Sequence, residues 1–482
     1  MSSDILTYVA VGIFGTLIAI VAGLAIVLRP RVALMVLFAL MLLCEHYPQT
    51  DPNGNLVVTF LPALYDNFNI TLGIPALKFN PIEVLLVFIF IGHVLQRLSR
   101  PHGAFRLGAV TIFGSIYFLW MVVSIVWGVV NQGNWKVALW ILRPVFYFLL
   151  VSYLATHLLR RRRDCAVAVG ILVVMCLVKA FQLIFRHGLS GAPAGTVEAY
   201  AAHEETSFAL YAAWFTIATF FLRYPPRYRN LLWAVFPIIL LAIAWNERRV
   251  NYATFMIGIG IMFLLTSPQT IRRRLLILQI GVALAFIYVA FGWFGPTNAL
   301  TSPIKGLKQG VHAELLKEDT DRSSFYRKAE RYNLRHTIRA NPIMGTGLGV
   351  RYLQLITLDK LNFGYAVYIT HNQVLLVHSA TGTIGYFIFL TFFVSLVAQL
   401  TIYWRLLEVP WQRATALCAV LSVTNWLVVG YYDLQLFFFR NSIVMGVIVA
   451  IPTALYRMKY LPRPLPRQIK KKPYAPPALN PA

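Results

Sequence analysis

Apolar positions in this chain come in long continuous runs of Leu, Ile, Val and Phe, not in the alternation that an outer-membrane barrel requires. Runs long enough to cross a hydrocarbon core of ~30 Å recur from one end to the other. Read as helices, they predict spans at 6–28, 32–45, 81–97, 107–130, 135–159, 165–185, 206–222, 230–245, 250–267, 274–294, 374–404, 414–431 and 436–456. The second and eighth of these are short. The predicted fold class is all-α: a polytopic integral membrane protein with about 12–13 transmembrane helices.

Composition agrees with that pattern. Hydrophobic residues make up 58% of 482, charged residues 13%, and mean hydropathy is +0.65. A net charge of +25 suggests nucleic acid in a soluble protein, but its placement here points to a membrane. Arginines gather at 29 and 31, at 97, 100 and 106, at 160–163, at 223, 227 and 229, at 272–274, and at 405 and 413. These fall at every second loop, as expected of the cytoplasmic side. The basic, proline-rich segment after Arg457 is expected to lie against the anionic inner leaflet. On this reading the N-terminus is outside, the C-terminus inside and the span number odd. The first apolar run is too long, and lacks a small-residue cleavage site, for a removed signal peptide. The four cysteines (44, 165, 176 and 418) suggest neither a disulfide nor a metal site.

Two outward segments are long. Residues 46–80 are rich in Pro, Gly and Asn and read as loop. Residues 295–371 form the one soluble-sized unit, marginal for independent folding, with eleven Lys and Arg against six Asp and Glu on the side where positive charge is scarce. The expected organisation is therefore spans one to ten over 1–294, a mostly helical outward loop over 295–371, three more spans over 372–456, and a basic tail over 457–482. Within the loop, 323–340 reads as a helix, with Ser323 or Ser324 as its cap and Asn341-Pro342 as its stop. Arg327, Arg331, Arg335 and Arg339 recur every four residues along one ridge, which suits a solvated face or a cationic site.

Other cations break the charge rule on the same side. Arg143 is about eight residues, or ~12 Å, inside the fifth span. Lys179 is in the outer half of the sixth, Arg248 and Arg249 occupy the tight turn "WNERRVNY", and Arg440 is near the outer end of the last span. The nearby acids are few, chiefly Glu247 and Asp433. Each cation could snorkel to the headgroups; several at one depth fit a site for an anion such as a lipid diphosphate. His371 opens the eleventh span, where it could sit wet at the interface or serve as a general base. Ahead of it, "GTGLG" at 345–349 allows a tight turn and close backbone approach to a ligand. It follows no strand, so a dinucleotide site is rejected. "DTD" at 319–321 is a common three-residue match on the side of the membrane where nucleotide sugars are absent, and "HEE" at 203–205 lacks the second histidine of a helical zinc site. Neither metal nor cofactor is expected.

The stretches "SSFYRKAE", "NPIMGTGLG" and "THNQVLLVHSATGTIG" resemble the O-antigen ligase and Wzy-type polymerase superfamily, bacterial inner-membrane glycosyltransferases acting on lipid-linked glycans. The resemblance covers much of 323–385; elsewhere it rests on hydropathy and element order. It implies a GT-C-like architecture with one large periplasmic loop. It also implies an undecaprenyl-diphosphate-linked glycan as donor, a glycan or lipid A-core as acceptor, membrane lipids as surroundings and no nucleic acid. The family's turn arginine falls on Arg248 or Arg249, and its loop arginine on Arg327 with Arg322 as the rival. Glu330 is one turn after Arg327, and the family histidine falls on His371. The arginines, with Arg143 and Lys179, are expected to hold the diphosphate, and His371 to activate the acceptor hydroxyl, with inversion and without metal. Polymerisation of O-antigen or exopolysaccharide repeat units is the leading expectation. A ligase, a protein O-glycosyltransferase and, in another class, a flippase are the alternatives.

Overall fold

In a computed structural model of the chain, residues 23–45, 64–68, 79–99, 109–190, 203–222, 225–245, 249–266, 286–295, 322–358 and 367–460 are described, with 279, 283, 304, 308 and 365 as single positions. Every regular element among them is helical. The principal helices are α1 (Pro30–Leu43), α2 (Pro81–Leu98), α3 (Ala109–Val130), α4 (Trp135–Leu158), α5 (Arg162–Ser190), α6 (His203–Phe221), α7 (Pro226–Trp245), α8 (Arg249–Leu265), α9 (Arg322–Ala340), α10 (Gln373–Leu406), α11 (Pro410–Tyr432) and α12 (Phe439–Tyr460). Eight of these are long and apolar enough to cross a membrane, and α1, the apolar part of α6 and that of α8 are shorter. The protein is polytopic, as its hydropathy predicts. The expected span at 6–28 lies mostly outside the described residues, as do the segments 46–80 and 295–321; of the expected span at 274–294, residues 286–294 are described and helical.

α12 and α11 form the centre of the bundle and are buried on nearly all sides, whereas α3 and α7 present broad apolar faces outward. α12 lies along α4 more extensively than any other described pair, and Gly446 makes that possible. A side-chain carbon there would come within 3.1 Å of Phe148 O and Val151 Cβ. Small residues at helix crossings are how spans associate when lipid is as apolar as the side chains. α11 brings Ala414, Ala416 and Ala419 into the same interior.

α10 is the long element, 34 residues, and it is broken. Gly382 has φ 68° and ψ −176°, which interrupts the helix in its first third. The run 374–404 reads as one span because a single glycine inside an apolar stretch does not announce a break. A break strands backbone groups that lipid cannot satisfy. Here the 342–349 segment satisfies them. Thr346 N–H donates to Ser379 O and Gly347 N–H to Ala380 O, both at 2.9 Å, while Thr383 N–H donates to Pro342 O at 2.8 Å. α3 completes the set, with Trp120 Nε1 donating to Thr381 O and Ser124 Oγ to Ala380 O.

Candidate active site

α9 begins at Arg322, ahead of the two serines expected to cap it, and stops at Ala340 before Asn341-Pro342 as expected. Its buried stripe is Tyr326, Glu330, Asn333 and Thr337, one residue per turn. Asn333 Oδ1 accepts from the Leu355 and Ile356 N–H groups, and Thr337 Oγ1 accepts from Leu353 N–H. The following segment is thereby sewn back onto the helix. The arginine ridge divides: Arg335 and Arg339 are exposed, whereas Arg327 is partly buried.

His371 and Glu330, 41 residues apart in sequence, meet where α10 begins. Glu330 Oε2 accepts from the His371 backbone N–H at 3.0 Å, and Oε1 lies 3.3 Å from Nδ1. The Glu330 side chain is 1% exposed and that of His371 22%, so the pair has a buried and a reachable member. With Nδ1 turned to the carboxylate, Nε2 is the nitrogen left for a partner. Tyr326 meets the imidazole edge-on at 5.6 Å, which limits its rotation. Tyr352 is buried nearby; burial, and secondarily the Glu330 charge, push its phenol well above the usual range. Asn372 caps α10 by accepting from Leu375 N–H at 2.9 Å, and its Nδ2 is buried without a hydrogen-bond partner among the described residues. Gln373 accepts from Leu436 and Phe437 N–H groups, tying this end of α10 to the α11–α12 connection. Sequence reasoning missed Tyr326 and Gln373, whose partners are set only by folding.

One turn before Glu330 on α9, Arg327 has a buried Nε with no hydrogen-bond partner among the described residues. A buried guanidinium nitrogen left unmatched is costly, and it is the kind of donor a phosphate oxygen satisfies. The side chains of Arg249 and Arg322, and Arg248 altogether, lie outside the described residues. Arg143 is engaged inside the bundle: it donates to Glu83 Oε1, to which Tyr147 also donates, and its Nε reaches Tyr147 at 3.2 Å. Glu83 meanwhile completes a capping box with Asn80 at the start of α2. Lys179, 5% exposed, pairs with Glu45 at 2.6 Å and with Gln182 at 2.8 Å. Its share in an anion site requires it to exchange Glu45. Arg440 donates to Met41 O and Leu42 O, the carbonyl end of α1, and lies over the Phe208 ring. Among the described residues, these three cations thus meet Glu83, Glu45 and a helix end, while Glu247, one of the acids that the sequence places near them, lies outside the described residues. "NPIE" at 80–83 is a readable capping box, but nothing in the sequence aims it at Arg143.

The glycines 345, 347 and 349 all have positive φ, 71°, 93° and 83°. The close approach they permit is to the protein itself and not to a ligand. A side-chain carbon at Gly347 would run into the Gly128 backbone, and one at Gly349 into Asn134 O. The turn is also remote from the imidazole: Gly382, which it plugs, is eleven residues beyond His371, roughly 16 Å along a helix.

An all-helical polytopic membrane protein with a buried acid holding a reachable histidine, one turn from an arginine whose buried Nε has no hydrogen-bond partner among the described residues, is the class that fold and site define. Residues 234–390 match the Wzy_C family model, described as O-antigen ligase. The resemblance to the O-antigen ligase and Wzy-type superfamily is shown over that stretch, which runs from within α7 to the first half of α10. It includes Arg248, Arg249, Arg322, Arg327, Glu330 and His371, and excludes Arg143 and Lys179. No curated protein matches the chain. The domain implies a glycosyltransferase-like, multi-pass membrane enzyme acting on lipid-linked glycan and acceptor substrates.

Proposed function

We propose that the protein transfers a glycan from an undecaprenyl-diphosphate-linked donor to an acceptor hydroxyl at the periplasmic face of the inner membrane. On this reading its main role is to join O-antigen or exopolysaccharide repeat units. The observation that carries the reading is the Glu330–His371 pair, one helical turn from the unsatisfied Arg327 nitrogen. His371 Nε2 takes the acceptor proton while Glu330 fixes the tautomer at Nδ1. The acceptor oxygen bonds to the anomeric carbon from the face opposite the diphosphate, and the carbon–oxygen bond to the diphosphate breaks. The anomeric centre inverts. The leaving diphosphate carries its charge to Arg327, with Arg322 and Arg248 or Arg249 as further donors, so no metal is required.

The glycan and lipid-carrier profile of a deletion strain tests the role. Loss of chain length with repeat units remaining on the carrier is expected of a polymerase. Full-length polymer accumulating on the carrier assigns a ligase to lipid A-core instead, and an unchanged profile of both refutes transfer from this donor.

A further inference from the structure

At the end of α10 opposite His371, a cavity of about 260 Å³ opens between α3, α4, α10 and α12. It is lined by Ser152, Tyr153, His157, Gln399, Tyr403 and Arg457 among others, and by no Asp or Glu among the described residues. The glycosyl-transfer site uses none of these groups. Arg457 leans on His157, with Nη1 3.2 Å from Nε2, while His157 Nδ1 faces Tyr153 O at 2.9 Å. The carbonyl can only accept, so Nδ1 carries the proton and Nε2 accepts from the guanidinium.

Two buried polar atoms in the wall have no hydrogen-bond partner among the described residues: Gln399 Nε2 and Ser152 Oγ, each on a residue 8% exposed. The orientation of the Gln399 amide is fixed chemically. Val110 N–H can only donate, and it meets Gln399 Oε1 at 3.2 Å, so the unsatisfied atom is the NH₂ donor. An arginine, an orphan amide donor, a hydroxyl and no carboxylate make a pocket that asks for acceptor oxygens with negative charge. This end of the bundle also carries Arg97, Arg160–Arg163, Arg405 and Arg413, the side on which charge placement puts the anionic leaflet.

We propose that this cavity is a second ligand site, one that binds the phosphate of an anionic phospholipid headgroup. Arg457 meets the phosphate at the rim, and Gln399 and Ser152 donate to it from within.

The test uses the purified full chain in a neutral detergent, titrated with phosphatidylglycerol, with phosphatidylcholine and, separately, with inorganic phosphate. Melting is followed by tryptophan fluorescence, and retained lipid by native mass spectrometry. Phosphatidylglycerol is expected to raise the melting temperature above the phosphatidylcholine level and to be retained. Arg457→Ala and Gln399→Glu should each weaken its apparent affinity by about tenfold or more. Gln399→Glu preserves the acceptor for Val110 N–H and replaces the donor by a like charge, so it carries the test alone if Arg457→Ala does not fold. A shift with inorganic phosphate that both variants abolish supports the anion site with a soluble phosphate as its source. Equal shifts with both lipids and none with phosphate, or a phosphatidylglycerol effect that survives both substitutions, overturns the proposal.

Discussion

The cations of the bundle and those of α9 face opposite conditions. Within the bundle, Arg143, Lys179 and Arg440 are matched to Glu83, Glu45 and the carbonyl end of α1. On α9, Arg327 is partly buried with a nitrogen unsatisfied among the described residues, next to an acid already occupied by a histidine. Burial alone does not separate a functional cation from a structural one, because Lys179 and Arg440 are buried and so is the Nε of Arg327. What separates them is whether the protein supplies the counter-charge. A matched cation stabilises the fold. One left with a buried, unmatched donor is a place for a ligand.

That contrast can be broken by substitution, most forcefully at the histidine. His371→Ala is expected to lower single-turnover transfer by roughly 10²–10⁴-fold while donor binding stays nearly intact. His371→Gln, which cannot take up a proton, should be almost as inactive. A Gln variant with near wild-type turnover removes the base and leaves a positioning residue. Next comes Lys179→Ala, which leaves Glu45 buried and without its lysine. A loss of about 3–5 kcal/mol in stability is expected, visible as a lower melting temperature or poor yield. A normally stable variant with defective donor binding would move Lys179 into the working group.

Arg327→Ala should behave in the opposite way, cutting donor use more than about tenfold, since a charge-assisted contact contributes ~1.5–3 kcal/mol, with little change in melting. Arg327→Lys should restore it only in part, because an ammonium lacks the planar fork. Full activity of Arg327→Ala at normal expression refutes the clamp. Gly347→Ala should cost about 1–3 kcal/mol in stability through its positive φ and its contact with Gly128. It is expected to leave donor affinity in the folded fraction unchanged, because the turn is a plug and not a ligand floor. Smallest of all, EDTA should leave purified enzyme active. Loss of activity in EDTA that magnesium or manganese restores brings Asp319 and Asp321 into the mechanism.

Much of the fold was legible because a spanning helix needs only an apolar run of sufficient length, and 81–97, 107–130, 135–159 and 414–431 fall within a few residues of α2, α3, α4 and α11. His371 stood out because a titratable side chain at the edge of an apolar run is conspicuous, and Glu330 because the surrounding motifs resemble a known family. Their contact across 41 residues was not legible, nor were the pairings of Arg143 with Glu83 and Lys179 with Glu45. Such contacts are set by how helices pack, which local periodicity does not encode. The glycine turn shows the limit most plainly: "GTGLG" declares that something comes close to the backbone, but not that it is Gly128, Asn134 and the broken end of α10.

That broken end has a mechanical consequence. The chain leaves Glu330 along α9, turns at Pro342, is bonded at Gly347 to Ala380, and α10 leads back from there to His371, whose backbone is bonded to Glu330. The two residues therefore close a ring in which every segment is helix or hydrogen-bonded turn. A ring of that kind has little slack, so the imidazole is aimed while the chain folds and not when substrate arrives. Its orientational entropy is spent once, at folding, and is not charged again to each turnover.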